Sequence, residues 1–170
     1  MSGHNRWQQI RHKKTTTDQK RGQIFSKLSR LITLAAKKGI DPETNPALEQ
    51  AIEKAKTANM PKENIDRAIK KVSDKDQARL EELFIEAIGP GGVALKIKAI
   101  TDNRNRTIAE IKKILNVHES KIALPGSLSW LFNQPVSVAD KSSQEKLDKL
   151  LEALDDQDEV EDVETNLLDL

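Results

Sequence analysis

Cysteine is absent from the 170 residues. Its absence excludes a disulfide framework, a thiolate zinc site, an iron–sulfur cluster and a cysteine nucleophile, and it suits a reducing cytosol. No apolar run approaches the ~20 residues needed to span a bilayer. Met1 to Lys14 lacks the apolar stretch of a secretory signal. The expectation is a cytoplasmic chain with no membrane partner. There is no internal repeat and no low-complexity tract. Enzyme constellations are missing as well. His4, His12 and His118 show no metal-ligand spacing, no serine sits in a nucleophile elbow, and Asp155-Asp156 and Asp158-Glu159 read as solvated loop acids. The expectation is a non-enzyme without metal or cofactor.

What the chain does have is charge. Hydrophobic residues make up 36% and charged residues 32%, with a mean hydropathy of −0.62. A modest core under a densely charged surface follows. The net charge of +1 conceals an asymmetry. Residues 1–75 carry 17 Lys+Arg and 8 Asp+Glu (+9), and residues 76–170 carry 11 and 19 (−8), which sum to +1. Opposed halves of this kind suggest a basic module for a polyanion and an acidic remainder.

Residues 1–17 contain too little apolar material for a core and read as a basic arm, extended or resting on a neighbour. Three helices follow over 18–75. Ile24, Phe25, Leu28, Leu31, Ile32 and Ala35 space one helix over Asp18–Lys38, with Gly39 as its stop. Asn45-Pro46 caps a second that ends at Asn59, and a third starts near Pro61. Together they predict a three-helix bundle. Ser73–Ala78 reads as a linker. The hydrophobic period then changes to two. Leu83, Ile85 and Ala87 mark one strand and Val93, Leu95, Ile97 and Ala99 the next, joined by Gly89-Pro90-Gly91-Gly92. A helix over Asn105–Val117, a strand over Ser127–Phe132, a helix opened by the capping box Ser142-x-x-Glu145 and a strand over Val160–Asn166 complete 76–170. The fold class is α+β: the bundle with its arm, then a compact α+β sandwich of order β-β-α-β-α-β with helices on one face.

The arm carries the strongest candidate site: His4-Asn5-Arg6-Trp7, Arg11-His12-Lys13-Lys14 and Lys20-Arg21. Cations match phosphates, and Asn, His and Trp hydrogen-bond or stack on bases. The bland alternative is a solvated tail with Trp7 packed on the bundle. The second candidate is Asn103-Arg104-Asn105-Arg106 at a helix start, where an anion is favoured. Its alternative is helix capping, with the arginines paired to nearby acids. Gly89–Gly92 lacks the Lys-Ser/Thr ending of a phosphate loop and is read as a hairpin turn.

These same blocks resemble the YebC/PmpR family, which includes the mitochondrial translational activator of cytochrome c oxidase subunit I. The resemblance rests on Gly3–Trp7 through His12-Lys13-Lys14 to Asp18, Lys20–Phe25, Asp41-Pro42 with Asn45-Pro46, and Asn59–Lys62. It continues in Gly89–Val93, Thr101–Thr107 and Gly126–Trp130, and in the acidic ending up to Val163 and Asn166. Arg6 replaces a usual lysine, Phe84 and Ile88 stand where tyrosines are favoured, and Glu119-Ser120 replaces a glycine pair. The resemblance implies a further α+β domain in longer members where Pro135–Lys141 connects directly here. It also implies a non-enzymatic regulator of gene expression. Three functions follow as expectations: a translation factor on ribosomal RNA or tRNA, with the ribosome as partner; a DNA-binding transcriptional regulator; or an adaptor using the acidic C-terminal end. The missing recognition-helix and dimer motifs favour RNA. No oligomeric state follows from the sequence.

Overall fold

The computed structural model describes residues 4–13 and 17–168. Within it the chain divides into two compact units. One is the helical bundle: α2 (Asp18–Ala36), α3 (Pro46–Thr57) and α4 (Lys62–Lys70), followed by short 3-10 turns over Lys71–Ser73 and Lys75–Arg79. Its core holds Ile32, Ala36, Leu48, Ala51, Ala55, Met60, Ile65 and Ala68, the stripes that the 3.6 period marks out. Asn59 takes a left-handed φ of 61° and the Met60 N–H reaches back to the Ala55 carbonyl at 2.9 Å, which ends α3. The Thr33 hydroxyl donates to the Ala68 carbonyl at 2.8 Å and so ties α2 to α4. In place of a bare linker, the Lys37 ammonium donates to the carbonyls of Ala78 (3.1 Å) and Leu80 (2.6 Å).

The other unit is α+β, in the order β1 (Glu81–Ile88), β2 (Ala94–Thr101), α5 (Arg104–Val117), β3 (Lys121–Ala123), α6 (Lys141–Asp156) and β4 (Val160–Thr165). The strands form one sheet of order β3-β1-β2-β4, with β3 antiparallel to β1 and β4 antiparallel to β2. Leu83, Ile85 and Ala87 from β1 and Leu95, Ile97 and Ala99 from β2 point into one core with Ile111, Leu115, Leu147, Leu150, Leu151 and Leu154. Gly91 sits at φ 75°, and a Cβ there would lie 2.9 Å from a Val138 methyl. The glycine turn is thus packed close against the approach to α6, as a hairpin connection and not as an open phosphate cradle. Among the described residues no helix is long and apolar enough to cross a membrane.

Four expectations change. The N-terminal segment is not an extended arm: Asn5–Lys13 forms a helix, α1, that contributes Trp7 and Ile10 to the α+β core. The strand expected over Ser127–Phe132 does not form. The Ser127 and Ser129 hydroxyls bond the carbonyls of Leu124 and Gly126, and Gly126 has φ 81°. Such local bonds compete with a strand ladder, so that segment is turn and a 3-10 turn over Leu131–Asn133, and the third strand is Lys121–Ala123 instead. Asp140, not Ser142, caps α6 by accepting from the Ser143 hydroxyl (2.8 Å) and N–H (2.9 Å), which holds its carboxyl below the ordinary range. Finally, β4 stops at Thr165, and the Asn166 side chain beyond it accepts from the Ala94 N–H at 2.9 Å and donates to the carbonyls of Leu131 (3.2 Å) and Gln134 (3.1 Å).

Candidate nucleic-acid interface

A nine-residue helix is too short to persist alone in water, so α1 exists because its partners hold it. Trp7 is 1% exposed and Ile10 5%. Around them Arg6, Arg11 and His4 face acids. The Arg6 guanidinium grips Asp148 with two bonds, Nε to Oδ1 at 2.8 Å and Nη2 to Oδ2. Arg11 lies over the Trp7 ring, 5.7 Å from its centre, with its Nε 3.6 Å from the Asp155 carboxylate. His4 Nε2 is 2.5 Å from Asp162 Oδ2. Asn5 opens the helix with its side chain exposed. Lys14 and the side chains of His12 and Lys13 lie outside the described residues.

The remaining candidates belong to other elements. Lys20 and Arg21 belong to the first turns of α2 in the bundle. The Lys20 backbone N–H donates to the capping Thr17 hydroxyl at 3.2 Å, and Arg21 stands 3.9 Å from Asp18 on the surface. Asn103 donates its backbone N–H to the Thr101 hydroxyl at 2.9 Å, and Asn103, Arg104 and Asn105 are exposed. Arg106 reaches 2.8 Å to Glu159, whose other oxygen accepts from the Thr107 hydroxyl at 2.7 Å.

Asp155 and Glu159 are therefore not solvated loop acids. Both are buried, and each holds an arginine of the candidate set. The carboxylates occupy guanidinium sites that a phosphate would need. Arg106→Ala is expected to cost about 1–3 kcal/mol, the range for a buried acceptor deprived of a partner, because Glu159 would keep only the hydroxyl bond. Arg104→Ala, at an exposed position, should stay within about 0.5 kcal/mol. Thermal melts of the two single variants compare them; equal melting would remove the structural role of Arg106. Deleting residues 1–14 takes Trp7 and Ile10 out of the core, so lost binding in that truncation would report unfolding before it reported lost phosphate contacts.

The molecule thus combines a small basic helical bundle with an α+β unit that folds its own N-terminal helix into its core. The chain belongs to the TACO1/YebC family. Residues 5–75 match the TACO1/YebC protein N-terminal domain and residues 80–135 the TACO1/YebC second and third domain. A protein of Halothermothrix orenii called "Probable transcriptional regulatory protein" is 44% identical over 173 residues, covering 99% of this chain and 68% of that protein. One of the same description from Chloroflexus aggregans is 50% identical over 137 residues, covering 79% of this chain and 54% of its own. The chain spans a little over half to two thirds of the length of these relatives. The crystal structure of a conserved hypothetical protein from Aquifex aeolicus superposes with a TM-score of 0.83 at 31% identity, covering 94% of this chain and 95% of that one.

Proposed function

We propose that this chain is a non-enzymatic nucleic-acid-binding regulator of gene expression that works on RNA at the ribosome. The observation that carries the reading is the pairing of relatives described as transcriptional regulatory proteins with a first half that holds 17 basic and 8 acidic residues. The structure redistributes the cations available to a polyanion. Arg6 and Arg11 of α1 are turned onto acids, so the bundle supplies the contact: Lys54 at the end of α3 and Lys62, Arg67 and Lys70 along α4 are all exposed. Clustered lysines and arginines gain affinity for phosphates by releasing condensed counterions. The description of the relatives favours a second reading, a DNA-binding transcriptional regulator. The adaptor reading loses support, since Asp148, Asp155, Glu159 and Asp162 are occupied within the chain.

Crosslinking in cells followed by sequencing of the bound nucleic acid tests this. Enrichment of ribosomal RNA or tRNA is expected. Promoter DNA in their place would support the second reading, and no enriched nucleic acid would overturn both. Nuclease, phosphatase and NTPase assays should give no rate above blank, and a rate abolished by a point substitution would refute the non-enzymatic assignment.

A further inference from the structure

Side chains alternate between the faces of a strand. Leu83, Ile85 and Ala87 turn to the core, so Phe84, Glu86 and Ile88 turn to the opposite face of the sheet. Pairing of Ile88 with Lys121 extends that face onto β3. The Lys96 ammonium, 5.5 Å from the centre of the Phe84 ring, places Lys96 on it too, and Lys98 lies 3.4 Å from Glu82. The turn after β3 is pinned to the same face, because the Gly126 N–H donates to the Glu86 carboxylate. Trp130 follows four residues later and is 59% exposed; Phe84 is 47% exposed. The chain has only five aromatic residues, three Phe and two Trp. Trp7 is buried and Phe25 and Phe132 are half-buried, so both of its exposed aromatics belong to this face and the loop fastened to it.

We propose that this face is a stacking platform for the unpaired bases of a single-stranded nucleic acid, with Phe84 and Trp130 as the stacking surfaces and Lys96 and Lys121 meeting the backbone phosphates. It deepens the nucleic-acid reading above and rests on it. Two features favour this occupant over an apolar protein partner. A lysine ammonium already lies over an exposed ring, so the patch joins an aromatic surface to a cation, the two groups that a base and its phosphate call for. The apolar surface is also interrupted by charged residues that stand opposite one another in the strand register, Lys96 and Glu164, Lys98 and Asp162, whereas the core of a protein-docking face is depleted of charge. The same acids keep the face near neutral. Affinity there must come from stacking more than from charge, so the platform should prefer single strands, whose bases are free, and show a shallow salt dependence.

Fluorescence anisotropy with the full chain tests this, using end-labelled oligouridine, the corresponding single-stranded DNA and a duplex of equal length. Both single strands should bind more tightly than the duplex, with an RNA preference if a 2′-hydroxyl is also read. Phe84→Ala and Trp130→Ala should each weaken single-strand binding at least about fivefold, the low end for one lost stack, while Trp130→Phe retains most of it. In the unmodified protein, oligouridine should quench the exposed Trp130 fluorescence and spare buried Trp7; this signal decides the matter should an alanine variant melt early. Unchanged affinity in both stable alanine variants, or duplex binding as tight as single-strand binding, would overturn the platform and leave the wider reading standing. Loss of a bound protein without loss of oligouridine binding would mark a protein-docking face and overturn it likewise. Failure of the unmodified chain to bind any of the three nucleic acids would remove the nucleic-acid reading itself.

Discussion

A Trp7→Ala protein is expected to lose about 3–5 kcal/mol of stability, the range for emptying a large aromatic site in a core. Trp7 is 1% exposed and belongs to the same cluster as Leu147, Leu150 and Val163. The polar pairs around α1 cannot replace it. Arg6–Asp148 and His4–Asp162 are about one-third exposed, where such pairs contribute roughly 0–1 kcal/mol each. Without the indole, Ile10 is the only buried anchor among the described side chains of α1, and a helix of nine residues does not survive on propensity. Trp7→Phe should cost much less. It keeps a ring in the site and removes an indole N–H that is buried without a hydrogen-bond partner, itself a cost in the native state. Denaturant unfolding and hydrogen exchange of the β2 and β4 amides measure both variants. An alanine variant within about 1 kcal/mol of the parent would show that α1 rests on the unit without belonging to its core.

The helices of the bundle and the β1–β2 hairpin were legible in the sequence because their apolar residues repeat locally, every three or four positions or every two. Helix α1 was not, because its evidence lies elsewhere in the chain. Trp7 and Ile10 are a single i, i+3 pair amid cations, and the groups that complete the helix are Asp148, Asp155 and Asp162. The short β3 shows the same limit. Three residues carry no usable period, and the neighbouring Ser-Leu-Ser-Trp alternation imitates a strand until its hydroxyls bond their own backbone. The charge asymmetry is plain in the sequence as a quantity but not as a cause. Opposite charges at the two ends of a chain serve a polyanion or serve each other, and for His4, Arg6 and Arg11 the structure shows the second. Phe84 drew no functional reading because alternation announces only that one face is polar. What distinguishes this face is which aromatics remain exposed, and burial is a property of the folded chain.

Asn45 was legible as a helix cap and is more than that. Its Oδ1 accepts the Leu48 N–H at 3.2 Å, the bond of an N-cap. Its Nδ2 donates to the carbonyls of Ala35 and Gly39, both at 2.8 Å, and so closes the C-terminal end of α2 as well. One nearly buried amide therefore binds three backbone groups around two helix termini: the Leu48 N–H, the Ala35 carbonyl, which also accepts from the Lys38 N–H at 3.3 Å, and the carbonyl of Gly39 beyond the end of α2. Asn45→Ala should cost about 1–3 kcal/mol, a lost cap of roughly 0.5–2 plus the side-chain donor lost by the Gly39 carbonyl, since the Ala35 carbonyl keeps the Lys38 N–H. Asn45→Asp separates the two roles. Aspartate is as good a cap as asparagine, so a cap alone predicts little change. At neutral pH, however, its carboxylate has no hydrogen to give and would face two carbonyl oxygens at hydrogen-bond distance, which is repulsive in a partly buried site. The aspartate variant is therefore expected to be at least as unstable as the alanine variant near neutral pH. It should recover partly as the pH falls through the carboxyl titration, because the protonated acid again has a donor. Thermal melts of the three proteins across the acid range provide the measurement. A pH-independent aspartate variant as stable as the parent would leave Asn45 an ordinary cap and the end of α2 held by other contacts.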